Sequence, residues 1–314
     1  MDDNSKTATL DISHRHPSKP QNYKIATLMQ NATQPLNDAL ITKSLSTADY
    51  VPTLDAMLSR TLARIALKKE QGLRTPDELW IVDHNDVYTL GQAGKEEHIL
   101  QRTNTPIIKT DRGGQVTWHG RGQLVIYWLF DLDSLGWSVR NMVSHAEQAI
   151  EDVVNDCLKS PSSSDPTHIS ALARRDAPGV YLYADTSAEN NSSTNDDANT
   201  DASAADINNT IMLGKIASLG FKIKHGFSYH GIAINLDCDL SAFNAINPCG
   251  YAGMQMLRLA DFVNMEKQTD QALTNKSASD ISESLTYEQV TQKLIDNIAE
   301  RHAGRITLRA LAPK

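Results

Sequence analysis

Cysteine is scarce in this chain. Three (Cys157, Cys238 and Cys249) occur in 314 residues, too few for a disulfide framework or a structural zinc cluster. Long apolar runs are missing too. The longest unbroken one, Leu124 to Phe130, is far shorter than the ~20 residues a membrane-spanning helix needs. There is no basic surplus. Lys plus Arg is 30, Asp plus Glu is 38, and the formal charge is -8, which argues against nucleic-acid binding by bulk charge. The start, Met1-Asp2-Asp3-Asn4, has neither the basic nor the apolar region of a secretory signal. The expectation is a cytoplasmic globular protein with neither a membrane nor a nucleic-acid partner.

The acidity is concentrated. From Asp185 to Thr210 the chain holds Asp185, Glu189, Asp196, Asp197, Asp201 and Asp206 and no Lys or Arg. That composition cannot bury enough apolar surface to offset ordering, so it reads as a surface insertion. Polar stretches over residues 1–50, 159–170 and 264–284 read as tails and loops. Length alone suggests about two domains, but about 200 ordered residues fit one better. The expected layout is a polar extension over 1–50, a catalytic domain over 51–263 carrying the insertion 185–210, and a polar linker with a C-terminal helix over 264–314.

Leu54, Leu58, Leu62 and Ile65 recur at helical spacing and predict a helix over 53–70, closed by Gly72. Leu79 to Asp83 and Val87 to Leu90 predict a hairpin around His84-Asn85-Asp86. Pro106 to Thr110 predicts a short strand. Gln123 to Phe130 predicts a central strand buried on both faces. Val139, Val143, Ala146, Ile150, Val153 and Val154 predict a second long helix. Gly179 to Tyr183, Ile211 to Ser218, Phe221 to Lys224 and Ser228 to Asn235 predict short strands with glycine turns. Ser241 to Asn244 predicts a helical turn. Thr286-Tyr-Glu-Gln289 matches a capping box ahead of a helix faced by Val290, Leu294 and Ile298. Strands mixed with helices, without regular alternation, predict an α/β (α+β) fold: a single mixed-sheet domain with flanking helices.

Three segments carry possible chemistry. Arg112-Gly113-Gly114-Gln115-Val116-Thr117-Trp118-His119-Gly120-Arg121-Gly122-Gln123 combines close backbone approach with side-chain donors. It has no Gly-Lys-Ser/Thr ending and no G-x-G-x-x-G opening a helix, so neither nucleotide motif applies. Alone, it is equally two tight turns beside a buried strand. Asn247-Pro248-Cys249-Gly250-Tyr251 puts a thiol on a turn, where a side chain is presented; a lone Cys is usually a small buried hydrophobe, and Cys157 and Cys238 are read so. Lys215 sits among apolar residues and glycine in Gly214-Lys-Ile-Ala-Ser-Leu-Gly220. On spacing alone it is a snorkelling edge-strand lysine. His119, His225 and His230 match no standard ligand spacing, and no metal is expected.

Together with Leu90-Gly-Gln-Ala-Gly94, Tyr229-His-Gly-Ile-Ala-Ile-Asn235 and Asn247-Pro-Cys-Gly-Tyr-Ala-Gly-Met254, these segments, in this order, resemble the lipoyl(octanoyl) transferases. The resemblance covers roughly Leu79 to Leu259 without the insertion. One position departs from it: Arg121 stands where the family usually has Pro after His-Gly. The resemblance implies the fold of the lipoate and biotin protein ligase catalytic domain and needs no cofactor. It implies octanoyl-acyl carrier protein as donor, and lipoyl domains of 2-oxoacid dehydrogenases and glycine cleavage H protein as acceptors. It makes Cys249 the acyl-accepting nucleophile and Lys215 its activator. Arg112, Gly113, Gly114, Gln115, Val116, Thr117, Trp118, His119, Ser218, Leu219, Gly220, Gly231, Ile232 and Ala233 then bind substrate.

The chemistry has need of such residues. An ordinary thiol ionises near 8.5, so roughly 3% is thiolate at pH 7, and a neighbouring ammonium raises that share. Backbone N–H groups near Cys249 or in the glycine-rich segments are candidate oxyanion donors. His119 serves a thioester carbonyl or the fold, with nothing to choose between them. Val116, Leu219 and Ile232 are candidates for an acyl slot. Arg112, Arg121, Lys222 and Lys224 could form a basic rim for acidic partners, although Lys222 and Lys224 read first as ordinary solubilising charges. Two alternatives stand beside the transferase: an ATP-dependent lipoate or biotin ligase of the same fold, which needs no acyl-accepting Cys, and a non-catalytic acyl-binding protein. If the insertion is a surface loop, deleting 185–210 leaves acyl transfer nearly intact. A large fall in transfer rate for the deletion variant would refute that.

Overall fold

The computed structural model describes residues 9–11, 33–37, 39–159, 169–174, 176–186, 210–266 and 284–310. Its strands are β1 (Thr9–Asp11), β2 (Thr33–Asn37), β3 (Leu40–Ala48), β4 (Asp77–His84), β5 (Val87–Leu90), β6 (Ile107–Lys109), β7 (Val116–His119), β8 (Gln123–Leu129), β9 (Ile169–Ala173), β10 (Val180–Asp185), β11 (Thr210–Lys224) and β12 (Phe227–Asn235). Its α-helices are α1 (Tyr50–Gln71), α2 (Leu132–Leu135), α3 (Val139–Leu158) and α4 (Tyr287–His302). Among the described residues, no helix is long and apolar enough to cross a membrane.

Eight strands form a mixed sheet in the order β2-β3-β4-β8-β12-β11-β10-β9. All its pairs are antiparallel except β3–β4. The apolar run of β8 lies near its centre, and every residue of the strand is buried. Side chains alternate across a strand. Leu124, Ile126 and Trp128 therefore enter one core with α3 and α4, while Val125, Tyr127 and Leu129 enter another with α1. The sheet is thus covered on both faces, as a continuous apolar strand requires.

The helices begin and end where local chemistry directs. Ser138 accepts from the Asn141 N–H at the start of α3. The reciprocal Thr286–Gln289 capping box opens α4. Gly72 closes α1 in the left-handed conformation, with φ 66°.

A second sheet of four strands, β1-β6-β5-β7, goes beyond the single sheet expected, and it dissolves the expected β4–β5 hairpin. β4 pairs with β3 and β8, whereas β5 pairs with β6 and β7. The connecting residues are bonded outward. His84 Nδ1 lies 2.8 Å from the Ala48 carbonyl and its Nε2 2.7 Å from the Tyr127 hydroxyl, and the Asn85 N–H donates to Ala48 O. These bonds turn the chain out of the large sheet.

Two further expectations are revised. Residues 40–48, expected within a polar tail, form β3, and Leu40 is fully buried; their alternating polar residues lie along a strand. Ile211–Ser218 and Phe221–Lys224 are one strand, because Gly220 is no turn but pairs with Gly231 across the ladder. Residues 187–209 of the insertion lie outside the described residues. The ladder at its base reaches the Asp185–Thr210 pair.

A buried charge network ties the layers together. Arg64, 1% exposed, donates to Asp77 Oδ1 and the Leu129 carbonyl. The same Asp77 oxygen accepts from the Asp131 N–H at 2.8 Å, and its Oδ2 lies 2.8 Å from His302 Nε2. One carboxylate of β4 thus joins α1, the Asp131 that caps α2, and α4. Removing one partner of a buried pair strands the other charge, at about 3–5 kcal/mol. Asp77→Ala is expected to lose that much in urea unfolding with an unchanged m-value; a loss under about 1 kcal/mol would show the network to be dispensable.

Candidate active site

A cavity of about 380 Å³ lies between the two sheets and the start of α3. β11 and β12 supply Ser218, Leu219, Phe221, Ile223, Ile232 and Ala233, β7 and β8 supply Val116 and Val125, and α3 supplies Val139 and Val143. It meets solvent at Tyr251 and Val139, 48% and 50% exposed. Much of the wall is hydrocarbon; Lys215 and the turn that carries Cys249 also line it.

Cys249 lies in a short 3-10 turn, Pro248–Gly250, with φ 58°. Left-handed backbone is uncommon for a residue with a Cβ and marks a conformation enforced by its surroundings. The turn is held by the Asn247 N–H donating to His98 O and the Gly250 N–H donating to Asn247 O. Lys215, 34 residues earlier, points at it. Its Nζ is 2.9 Å from Cys249 Sγ and 2.8 Å from the Pro178 carbonyl, and lies 5.3 Å from the centre of the Tyr181 ring. Lys215 is no snorkelling edge residue. It is 1% exposed, paired with Tyr181 on β10. On its other side its backbone bonds Gln255 O and the Leu257 N–H. The other two thiols are buried, and burial pushes Cys157 up to about 11 and Cys238 up to about 12.

Thirteen of the fourteen expected substrate-binding residues line this cavity. Trp118 does not. Alternation along β7 turns it into the core of the small sheet, edge-on to Phe243 at 5.5 Å. Arg112 lines the wall but is no rim charge. It is buried, and its donors go to Thr89 O and Oγ1, Gly113 O and Gln115 O. A guanidinium has five N–H groups, and here they shape the glycine-rich loop. His119 is likewise engaged at both nitrogens, with Gln123 Oε1 at 2.7 Å and Thr89 Oγ1 at 3.5 Å. It stacks on Tyr50, and burial holds its pKa down to about 3. A neutral ring with both nitrogens occupied has no free donor for a carbonyl.

Several lining groups carry no motif: Tyr50, Tyr127, Ala177, Pro178 and Tyr181. His230, inside the Tyr229–Asn235 motif but not expected to bind substrate, lines the cavity too. His230 bonds Asp111 through Nε2 at 2.9 Å, while its Nδ1 has no hydrogen-bond partner among the described residues. A single tyrosine or proline in a sequence carries no chemical pattern, so only the alternation of β8 and β10 could have signalled them.

The model of the lipoyl protein ligase A/B catalytic domain matches residues 55–278. The chain belongs to this family. An octanoyltransferase from Psychrobacter arcticus is 80% identical over 282 residues, 90% of this chain and 97% of that protein. One from Psychrobacter cryohalolentis is 78% identical over the same shares. One from Acinetobacter baylyi is 46% identical over 65% of this chain and 75% of its own. Among solved structures, lipoate-protein ligase A bound with ATP is similar at 12% identity and a TM-score of 0.44, over 87% of this chain and 88% of that one.

Within this family fold, Gly179 sets the lysine. At its φ of 141° a Cβ would lie 2.4 Å from Lys215 Cε, 2.7 Å from its Nζ and 2.7 Å from Ala217 O. The backbone oxygen cannot yield, so the ammonium must. Gly179→Ala is expected to lower stability by about 1–3 kcal/mol and to slow alkylation of Cys249 at pH 7 about tenfold. Unchanged alkylation would mean that the lysine keeps its seat.

Proposed function

We propose that this chain is an octanoyltransferase of protein lipoylation that carries the acyl group on Cys249, with Lys215 as its acid–base partner. The observation that carries the reading is a lysine nitrogen 2.9 Å from a cysteine sulfur at the wall of a largely apolar cavity. Membership of the family and the octanoyltransferase relatives support the activity.

The steps balance. An ammonium beside the sulfur stabilises the thiolate. The thiolate attacks the donor thioester carbonyl, and a C–S bond forms. Collapse expels the donor sulfur, which takes a proton from the Lys215 ammonium and leaves as a thiol. The neutral Lys215 then accepts a proton from the acceptor lysine amine as that amine attacks the Cys249 thioester. The amide forms, Cys249 departs as thiolate, and the ion pair is restored. Apolar lining from Leu219 and Ile232 suits the octanoyl tail; the Val116 side chain, on the same face of β7 as Trp118, packs into the small-sheet core and is no part of the acyl slot. Burying that tail contributes roughly 5 kcal/mol at about 0.8 per methylene, so selection between neighbouring chain lengths is graded at ~1–3 kcal/mol each.

The proposed donor is octanoyl-acyl carrier protein. The proposed acceptors are the lipoyl domains of 2-oxoacid dehydrogenases and the glycine cleavage H protein, and the proposed setting is the cytoplasm. No cofactor enters the steps above.

Intact-mass measurement after incubation with octanoyl-acyl carrier protein, without ATP, tests this. One octanoyl adduct is expected, lost in Cys249→Ala and released by a lipoyl domain. Lys215→Ala is expected to slow adduct formation by at least about 10²-fold. An adduct that survives Cys249→Ala refutes the nucleophile, strict ATP dependence favours the ligase reading, and no adduct with no turnover leaves a binding protein.

A further inference from the structure

The Pro178–Gly179 peptide has two polar ends, and both are taken. Its carbonyl accepts from Lys215 Nζ at 2.8 Å. Its N–H donates to Glu147 Oε1 on α3 at 3.4 Å. A carboxyl group is thereby joined to the lysine ammonium through one peptide unit, and the ammonium is joined to Cys249 Sγ. Hydrogen bonds in such a chain polarise one another. An acceptor on the N–H makes the carbonyl oxygen a better acceptor for the ammonium.

Glu147 is an odd residue for its place. It is 9% exposed, in a stretch of α3 where every residue from Ser144 to Ile150 is buried. A carboxylic acid there is costly unless it is bonded. The charged groups around it are Glu151, one turn along α3 and itself paired with Arg309, and Lys215 on β11. Burial above all, and Glu151 with it, pushes the Glu147 carboxyl up to about 7, against the pull of the Gly179 N–H and Lys215. Charged or protonated, the carboxyl offers an oxygen to the peptide.

We propose that Glu147 is a positioning residue for the acyl-transfer step: by holding the Gly179 N–H it fixes the Pro178–Gly179 peptide, and that peptide fixes the Lys215 ammonium against the Cys249 sulfur. This rests on the acyl-enzyme reading above. It assigns to Glu147 no contact with substrate. The function required of the side chain is that of an acceptor of glutamate length, so a glutamine, permanently neutral, meets it, and a leucine of similar bulk does not.

The test compares wild type, Glu147→Gln and Glu147→Leu in the full-length protein. Alkylation of Cys249 by iodoacetamide is followed from about pH 6 to 9 without any acyl donor, and adduct formation from octanoyl-acyl carrier protein is then timed. Glu147→Leu is expected to move the alkylation profile about one unit to higher pH and to slow adduct formation about tenfold. Glu147→Gln is expected to stay within about threefold of wild type in both. A purely structural role would lower thermal stability without moving the alkylation profile. The proposal is overturned if the Glu147→Leu profile superimposes on wild type, or if Glu147→Gln is as impaired as Glu147→Leu. Absence of any adduct on the wild-type protein would instead refute the acyl-enzyme reading, and the alkylation profiles would still decide what Glu147 does to Lys215 and Cys249.

Discussion

Everything around the cavity answers to one buried ammonium. Lys215 is 1% exposed, and a charge taken out of water is costly unless its hydrogen bonds are met. Among the described residues no carboxylate forms an ion pair with it. A carbonyl, a sulfur and an aromatic face hold it instead: Pro178 O, Cys249 Sγ and the Tyr181 ring. No carboxylate among the described residues therefore competes with the sulfur for this nitrogen.

The seat is built from elements far apart in sequence. β10 supplies the ring, the residues before it the carbonyl, and the turn after β12 the sulfur. A continuous set of hydrogen bonds runs from the small sheet to the Lys215 backbone. It passes from Thr89 to His119, on to Gln123 and Asn235, through the Leu257 carbonyl, and from the Leu257 N–H to Lys215 O. His119, Gln123 and Asn235 are buried, where a half-satisfied network would be destabilising. The glycine-rich segment therefore serves the site twice: its backbone lines the cavity, and its side chains fasten one sheet to the other.

Much of this is legible in the sequence. Helix α1 with its Gly72 stop, the capping box of α4 and the doubly buried β8 follow from periodicity and local chemistry, which act over a few residues. Cys249 and Lys215 are legible through the ordered motifs around them. What stays hidden is long-range. The β4–β5 connection looks like a hairpin locally and is turned outward by Ala48 and Tyr127, 36 and 43 residues from His84. Arg112 and His119 have the composition of ligand-binding groups, and only the positions of Thr89 and Gln123 reveal that their donors are used internally. Adjacency in sequence groups Trp118 with the site, although a strand sends neighbouring side chains to opposite faces. Glu147 has no motif at all, since its partner is a backbone N–H 32 residues away.

Lys215 and Cys249 are held by different parts of the fold, and this shapes what the site can do. Lys215 belongs to β11 of the large sheet. The Cys249 turn hangs from the small-sheet side, through Asn247 to His98 and the Ile99–Ile246 bridge. A nucleophile within the β11 ladder would have its direction dictated by the pleat, facing either the cavity or the opposite core. A left-handed turn frees Cys249 from that alternation, at about 1–3 kcal/mol of backbone strain. On the proposed reading the acyl group then rests along β11 and β12 while the sulfur that holds it is anchored elsewhere. In the proposed reaction two protein substrates reach the same sulfur in succession, and Cys249 is the one thiol of the three that is not fully buried. The lysine, itself buried, lies behind it, which in the proposed reaction directs its proton to the sulfur or amine in the cavity and not to bulk water.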